Sequence, residues 1–147
     1  MFPFFIEIME KINKLIAYLI AIANYAKDIH YSCKGEAAYA KHLLADRIYN
    51  GLYDFTDQLK EICLLGNDLM PMPSGEYLSR ATSLIPELTD SDKTNFEHIQ
   101  KLLIGCLVLM QEMLQEKNTP RAEISLVDGI AQDLQQKLGL VNLQVKD

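Results

Sequence analysis

Residues 30–61 decide the fold, and they read HYSCKGEAAYAKHLLADRIYNGLYDFTDQLKE. From Gly35 to about Leu65 the pattern is typical of one helix, because no proline interrupts it and Gly51 is its only weak helix former. The stretch also carries imidazole and carboxylate groups, which bind borderline and hard metal ions. Five residues are candidate catalytic and metal-ligating residues: His30, His42, Asp46, Asp57 and Glu61.

The spacing of four of these candidates places them on one side of the predicted second helix. At ~100° per residue, Asp46, Asp57 and Glu61 lie ~40°, ~60° and ~100° around the axis from His42. His42 and Asp57 are separated by roughly 22 Å along such a helix, whereas a ligand lies ~2.0–2.6 Å from its metal. The spacing therefore predicts two half-sites, an upper one at His42 and Asp46 and a lower one at Asp57 and Glu61.

A second copy of this helix, running antiparallel across a two-fold axis, would bring the lower half-site of one chain to the upper half-site of the other. Such an isologous dimer contains two identical sites. His30 would join each site from the end of the preceding helix, close to His42. The sequence thus predicts a homo-oligomer with a metal site shared between chains.

The composition is that of an ordinary globular protein with an acidic balance. The chain has 147 residues, of which 49% are hydrophobic and 23% charged, and its formal charge is −6. We interpret this length and composition as one domain, residues 1–147. An acidic chain of this kind does not favour binding to nucleic acid or to an anionic membrane.

Cysteine usage and hydropathy predict a cytoplasmic protein. Cys33, Cys63 and Cys106 are scattered and form no CxxC pair, which indicates reduced thiols. No basic residue precedes Lys11, so we expect no signal peptide. The most apolar run, residues 15–26, is shorter than the ~20 residues that a membrane-spanning helix needs.

Apolar periodicity predicts an all-α protein. The first helix runs from about Phe5 to Tyr31 and carries two apolar stripes, so we expect it to be buried on more than one side. The second helix ends at Gly66-Asn67. Residues 66–90 form a long connection with a short helix at residues 75–84, which indicates a crossover of the kind found in ferritin-like four-helix bundles.

Two further helices complete the predicted bundle. The third helix has Asp90 and Ser91 as N-cap candidates and runs to about Lys117. The fourth has Thr119 as N-cap and Pro120 as its first residue, and it ends at Gly139. No stretch alternates as a strand does.

At the five candidate ligands the sequence resembles the Dps family of mini-ferritins. The order His, twelve residues to His, four to Asp, eleven to Asp and four to Glu is similar to the ferroxidase signature of that family. The match includes Lys34-Gly35 after the first histidine and Tyr49 between the half-sites. The segment Glu76-Tyr77-Leu78 resembles the short helix in the family's crossover.

This resemblance implies an iron storage and detoxification protein, a ferroxidase. It implies a ferritin-like four-helix bundle assembled from two-fold dimers into a hollow dodecamer. Fe(II) would be oxidised by peroxide, or more slowly by oxygen, at an inter-subunit site, and Fe(III) would mineralise in the cavity. His30, His42, Asp57 and Glu61 would bind the metal directly, Asp46 would be a bridging or second-metal ligand, and zinc is the other candidate ion.

The chain also departs from the family pattern. Tyr31 follows the first histidine where the family usually has a Trp near the site. The Lys/Arg-rich tail of DNA-binding members has no counterpart, since Lys146 is the only basic residue among the last ten, so we expect no DNA binding. The acids that line iron-entry pores in the family match this sequence only loosely. The candidates are Glu123 and Asp128, beside Arg121, with Glu112 and Glu116 nearby.

Two other classes of protein stay open. One is a non-enzymatic ferritin-like bundle whose site binds zinc or no metal, and the other is a nucleic-acid-compacting protein. The sequence has no Glu-x-x-His motif, so it does not predict the intrachain di-iron site of larger ferritin-like bundles. His98 stands apart from the other candidates, and we interpret it as structural.

Overall fold

The computed structural model describes residues 3–146, with side chains from residue 6 onward. This part of the chain contains six α-helices: α1 Pro3–Ser32, α2 Ala38–Tyr49, α3 Leu52–Gln58, α4 Ser74–Leu84, α5 Asp92–Gln115 and α6 Arg121–Val145. A π-helical turn, Leu59–Leu64, and a 3-10 turn, Leu65–Asn67, continue α3. No helix in the described residues is long and apolar enough to cross a membrane.

The long helices form a four-helix bundle with a crossover, as the sequence predicts. Its members are α1, the α2–α3 segment, α5 and α6, and α4 lies in the long connection between the second and third of them. α1 packs against α2, α3, α4 and α5, while α5 packs along α6. The fold is therefore all-α, with the crossover helix lying against α1.

The first helix is buried on more than one side, which confirms the interpretation of its two apolar stripes. Ile12, Leu15 and Leu19 of the first stripe are fully buried. Ile16 and Ala23 of the second stripe are fully buried as well. Because α1 touches four other helices, burial of these side chains supplies a large share of the hydrophobic stabilisation.

The second helix is broken, and here the prediction of one continuous helix from Gly35 to Leu65 is wrong. Asn50 has φ −58° and ψ 130°, and Gly51 has φ 82° and ψ −9°. These are the angles of a type II turn, which requires a positive φ at its second central residue and therefore favours glycine there. Asn-Gly is a common turn dipeptide, so local chemistry explains the break.

A buried lysine supports this break from the last helix. Lys137 is buried, and its Nζ donates a hydrogen bond of 2.6 Å to the carbonyl oxygen of Asn50. The same ammonium lies 2.8 Å from Oδ2 of Asp133. A carbonyl freed by the end of a helix needs a new partner when it is shielded from water, and Lys137 supplies one.

The segment that follows α3 ends slightly later than predicted. The residue in the left-handed region is Asp68, with φ 60°, and not Gly66 or Asn67. Leu69 N–H donates to Leu64 O at 2.8 Å across this residue, as in a Schellman-type helix end. Asn67 Nδ2 donates to the Cys63 carbonyl, so the predicted stop residues still help to end the helix.

The crossover contains the short helix that the sequence predicts at residues 75–84. Its Tyr77 is buried, and the Tyr77 hydroxyl donates to Asn13 Oδ1 at 2.7 Å. On the exposed side, Arg80 pairs with Glu10 at 2.6 Å. Both contacts join α4 to α1 and fix where the crossover lies.

The ends of α5 and α6 test three predicted boundaries. Ser91 is the N-cap of α5, because its side chain accepts a hydrogen bond from Thr94 N–H. Thr119 is not the N-cap of α6, since its hydroxyl donates to Met113 O at 3.1 Å instead. The predicted end at Gly139 is also wrong: α6 continues to Val145 because Val141 is fully buried, which offsets the ~1 kcal/mol cost of one helical glycine.

Candidate metal centre

His30 and His42 form a stacked pair where α1 ends and α2 begins. Their ring centroids are 3.5 Å apart, with 23° between the planes. Nδ1 of His30 bonds the carbonyl oxygen of His42 at 3.0 Å, and Nδ1 of His42 bonds the carbonyl oxygen of His30 at 2.7 Å. A carbonyl oxygen can only accept, so both Nδ1 atoms donate, and in the neutral form of each ring Nε2 then holds the free lone pair.

The hydrogen bonds of the two imidazoles match the pattern of metal-binding histidines. Metal-binding histidines almost always donate their other ring N–H to a carbonyl or carboxylate, which fixes the tautomer and the ring orientation. Here each histidine supplies that acceptor for the other through its backbone. The structure thus brings together the two histidines that the sequence places twelve residues apart.

An open pocket of about 410 Å³ surrounds the histidine pair, with aromatic rings beside it. Tyr31 meets the His30 ring edge-on at a centroid distance of 4.9 Å, and Tyr39 lies 6.4 Å from the His42 ring. The residues Tyr31 and Tyr39 are 79% and 71% exposed in the single chain. A large exposed aromatic patch around a polar centre is the kind of surface that a protein partner covers.

Asp46 has a partner that sequence reasoning missed. Lys27 Nζ lies 3.2 Å from Asp46 Oδ1, and the same ammonium sits 4.3 Å from the centre of the Tyr49 ring. The signal was present in the sequence, since Lys27 lies one turn before His30 and Asp46 one turn after His42. On two antiparallel neighbouring helices these turns face each other. A cation bound by Asp46 must share its carboxylate with Lys27 or displace the ammonium.

The lower half-site is arranged differently. Asp57 lies in the last turn of α3 and Glu61 in the π-helical turn, and both side chains are exposed. Neither carboxylate has a hydrogen bond or an ion pair among residues 3–146. The ~60° and ~100° angles from His42 assume an unbroken helix, so they do not apply across the Asn50–Gly51 turn. Within the described part of one chain, no three His, Cys, Asp or Glu side chains converge on one point.

His98 lies away from this centre and has a structural partner, in agreement with its interpretation from sequence. Its Nδ1 is 2.8 Å from the hydroxyl of Tyr25, and that hydroxyl is also 3.2 Å from Asn95 Oδ1. Burial, reinforced by the nearby charge of Asp28, raises the pKa of Tyr25 to about 12. The contact joins α1 to α5.

All three cysteines are free thiols, as predicted. Burial raises the pKa of Cys63 to about 12, with a further contribution from Glu123, and burial alone raises the pKa of Cys106. Burial and the charge of Asp92 also raise the pKa of Cys33, which lines the pocket beside the histidines. With pKa values raised above the ordinary thiol value, all three cysteines are protonated near neutral pH in the metal-free chain.

The two pore candidates, Glu123 and Asp128, differ in exposure. Glu123 is only 3% exposed, and its Oε1 accepts a hydrogen bond from Asn67 Nδ2 inside the end of the bundle. Asp128 is exposed and accepts a hydrogen bond from Gln132. Glu123 is thus buried and Asp128 exposed in the single chain, and the pore assignment stays a prediction for both.

The structure resembles solved Dps proteins over nearly its whole length. A Dps from Thermosynechococcus elongatus matches with a TM-score of 0.87 at 16% identity, covering 96% of this chain and 91% of that one. A Dps from Staphylococcus aureus matches with a TM-score of 0.85 at 13% identity, covering 95% of each chain. A third match is a DPS protein from Vibrio cholerae, a member of a broad superfamily of ferritin-like diiron-carboxylate proteins. Its TM-score is 0.82 at 20% identity, covering 97% of this chain and 91% of that one.

No family model matches the sequence, and no curated protein matches it. Identities of 13–20% establish a shared fold and nothing finer. The chain has the ferritin-like four-helix fold of the Dps proteins.

Proposed function

We propose that this protein is a ferroxidase of the Dps type, which oxidises Fe(II) at a site shared between two copies and stores the product. One observation carries the proposal. The His30 and His42 rings donate from Nδ1 to each other's backbone, which leaves Nε2 of both rings free for a metal. A histidine pair with only a structural role does not require two unpartnered ring nitrogens, and both of these residues line an open pocket.

The donor set suits Fe(II). Imidazole nitrogen and carboxylate oxygen are the ligands of non-haem iron sites, and they leave positions open for an oxidant. Asp57 and Glu61 are exposed and unpaired in the described part of the chain, so their charges are available to a cation. The same donors bind zinc, and a zinc-binding protein without enzymatic activity is the alternative.

The proposed site combines His30 and His42 of one chain with Asp57 and Glu61 of a second. One chain cannot supply the whole set, because three such side chains do not converge among residues 3–146. A two-fold axis would create two identical sites and would cover Tyr31 and Tyr39. In this proposal the dimers assemble further into a hollow dodecamer in the cytoplasm.

The proposed reaction balances with peroxide as oxidant. Two Fe(II) ions lose one electron each, hydrogen peroxide takes both electrons and two protons, and the products are two Fe(III) and two waters. The carboxylates of Asp57 and Glu61 favour the more highly charged Fe(III). Fe(III) then hydrolyses and mineralises inside the cage, and oxygen acts as a slower oxidant.

Asp46 is proposed as a bridging or second-metal ligand. Its ion pair with Lys27 means that a second iron competes with an ammonium already 3.2 Å away. We therefore expect the position at the histidine pair to fill first. DNA compaction is not part of the proposal, since a chain with formal charge −6 supplies little phosphate neutralisation.

Stopped-flow absorbance of ferric species, after mixing with Fe(II) anaerobically and then adding oxidant, tests this function. We expect oxidation faster than in buffer, and faster with peroxide than with oxygen. His98→Ala is the matched control for His30→Ala/His42→Ala, because His98 lies outside the proposed site. Equal rates with and without protein would contradict ferroxidase activity, and tight zinc binding without iron oxidation would favour the alternative.

A further inference from the structure

The turn between α1 and α2 is held by a carboxylate from another helix. Asp92, the first residue of α5, accepts two hydrogen bonds at Oδ2. One comes from the Lys34 backbone N–H at 3.0 Å and the other from Lys41 Nζ at 2.9 Å. Lys41 Nζ also donates to the Lys34 carbonyl at 3.1 Å. We call these three residues the turn clamp.

The two charged side chains of the turn clamp are largely shielded from water, whereas Lys34 is exposed. The side chains of Lys41 and Asp92 are 19% and 10% exposed. Burial alone would raise the pKa of Asp92, but the hydrogen bonds from Lys34 and Lys41 outweigh it and lower that pKa. Hydrogen bonds to an ionised group in a partly buried site are roughly twice as strong as neutral ones, so the clamp is a firm contact between α5 and the turn.

The clamp holds the chain on both sides of the histidine pair. Lys41 is the residue before His42, and Lys34 lies four residues after His30. Each ring donates a hydrogen bond to the backbone of the other histidine. These two hydrogen bonds therefore depend on how the end of α1 faces the start of α2. The turn joins these two helix ends, and Asp92 contacts it from α5.

We propose that Asp92 is a positioning residue for the metal centre: by holding Lys34 and Lys41 it keeps His30 and His42 in their Nδ1–H tautomers, with both Nε2 atoms free. Asp92 touches neither histidine and acts through the backbone of the turn. The inference rests on the proposed function only in taking a metal as the ligand of the two Nε2 atoms.

Solid-state 15N NMR of protein labelled at its histidines tests the proposal in the full-length assembly. Asp92→Asn keeps the shape of the side chain and removes its charge. We expect the Nδ1–H signals of His30 and His42 to give way to a mixture of tautomers, while the His98 signals stay unchanged. We also expect zinc affinity, measured by calorimetry, to fall about 10-fold, as for other groups that orient metal-binding histidines.

Two further variants control this comparison. Asp90→Asn makes the same change at an exposed carboxylate with no hydrogen bond or ion pair in the described part of the chain, so it should alter neither the ring signals nor zinc affinity. Asp92→Glu restores the charge, and it should recover most of the zinc affinity. A merely stabilising role for Asp92 would change unfolding without changing the tautomers.

The proposal is overturned if folded Asp92→Asn shows wild-type ring signals and wild-type zinc affinity. If Asp92→Asn does not fold, Lys41→Met removes the clamp from its other side, and unchanged ring signals in that variant overturn the proposal equally. Neither readout depends on iron oxidation. A failure of the proposed function is therefore seen in the stopped-flow experiment, separately from the outcome for the clamp.

Discussion

The His30–His42 end of the candidate centre and its Asp57–Glu61 end lie on one continuous stretch of chain, but contacts within the chain organise only the first. The histidine rings are stacked at 3.5 Å and share two backbone hydrogen bonds. The two carboxylates are exposed and unpaired among the described residues, beyond a break in the helix. Contacts within the single chain thus organise the histidine end and not the carboxylate end, which a second copy would complete in the proposed dimer.

This difference has an energetic reason. Two imidazoles without a net charge pack together at little electrostatic cost. Each ring donates one N–H to a carbonyl oxygen, and both residues line the pocket. Two carboxylates four residues apart repel each other, and an exposed position lets water screen that repulsion. The exposed positions of Asp57 and Glu61 therefore limit the cost of placing two like charges close together.

The largest expected effect is a difference in zinc affinity between variants of the two half-sites, measured by calorimetry. His30→Ala/His42→Ala should abolish saturable zinc binding, because it removes the preorganised donors. Asp57→Ala/Glu61→Ala should keep weak binding at the histidines, with affinity reduced about 100-fold or more, beyond the 10–100-fold typical of losing an orienting group. Equal loss in both variants would contradict the claim that only the upper half is prepared in one chain.

A smaller effect is expected on the free energy of unfolding when Gly51, in the turn between the two half-sites, is replaced. An alanine Cβ there would meet no atom within 4 Å, so the cost of Gly51→Ala comes from its φ of +82° alone. We expect about 1–2 kcal/mol of destabilisation. Gly129→Ala is the matched control, because Gly129 is helical and equally open, and it should stabilise the protein by ~0.5–1 kcal/mol.

Urea unfolding at matched protein concentration measures both changes in the free energy of unfolding. We expect Gly51→Ala to lower the free energy of unfolding and Gly129→Ala to raise it. If Gly51→Ala stabilised the protein as Gly129→Ala does, the helix would have to run unbroken through residue 51, and the distinction between the half-sites would lose its structural basis.

The sequence correctly predicted that His30 and His42 lie close together, because the cause is local. Helix periodicity and two short spacings were enough to bring His30 and His42 together across one turn. The clamp of that turn by Asp92 could not be read in this way, because Lys34 and Asp92 are 58 residues apart and only the bundle brings them together. The ion pair between Lys27 and Asp46 was not predicted, because the spacing of candidate ligands does not show which cationic side chains pair with them.

The lower half-site was predicted less well because its geometry depends on the Asn50–Gly51 turn. In a helical pattern one glycine is usually a small cost, and periodicity alone does not reveal where a glycine instead takes a positive φ. The reverse error occurred at Gly139, where burial of Val141 carries the helix onward. At Gly139 the deciding contact comes from the bundle core beside α6, whereas at Gly51 Lys137 adds a contact from α6 to a turn that Asn50–Gly51 already favours locally.

The claim of a shared site is tested most directly by mixing two inactive variants. His30→Ala/His42→Ala lacks the histidines of the upper half-site, and Asp57→Ala/Glu61→Ala lacks the lower half-site. A heterodimer of the two has one site with both halves intact and one site with neither. Each variant alone should oxidise Fe(II) no faster than background.

Refolding an equal mixture should give about half heterodimers if pairing is random, so roughly a quarter of the wild-type sites should return. Stopped-flow rates of Fe(II) oxidation, with heterodimers verified by mass spectrometry of differently tagged chains, measure the recovery. The account predicts about a quarter of the wild-type rate in the mixture. Verified heterodimers without recovered oxidation would contradict a site shared between two chains.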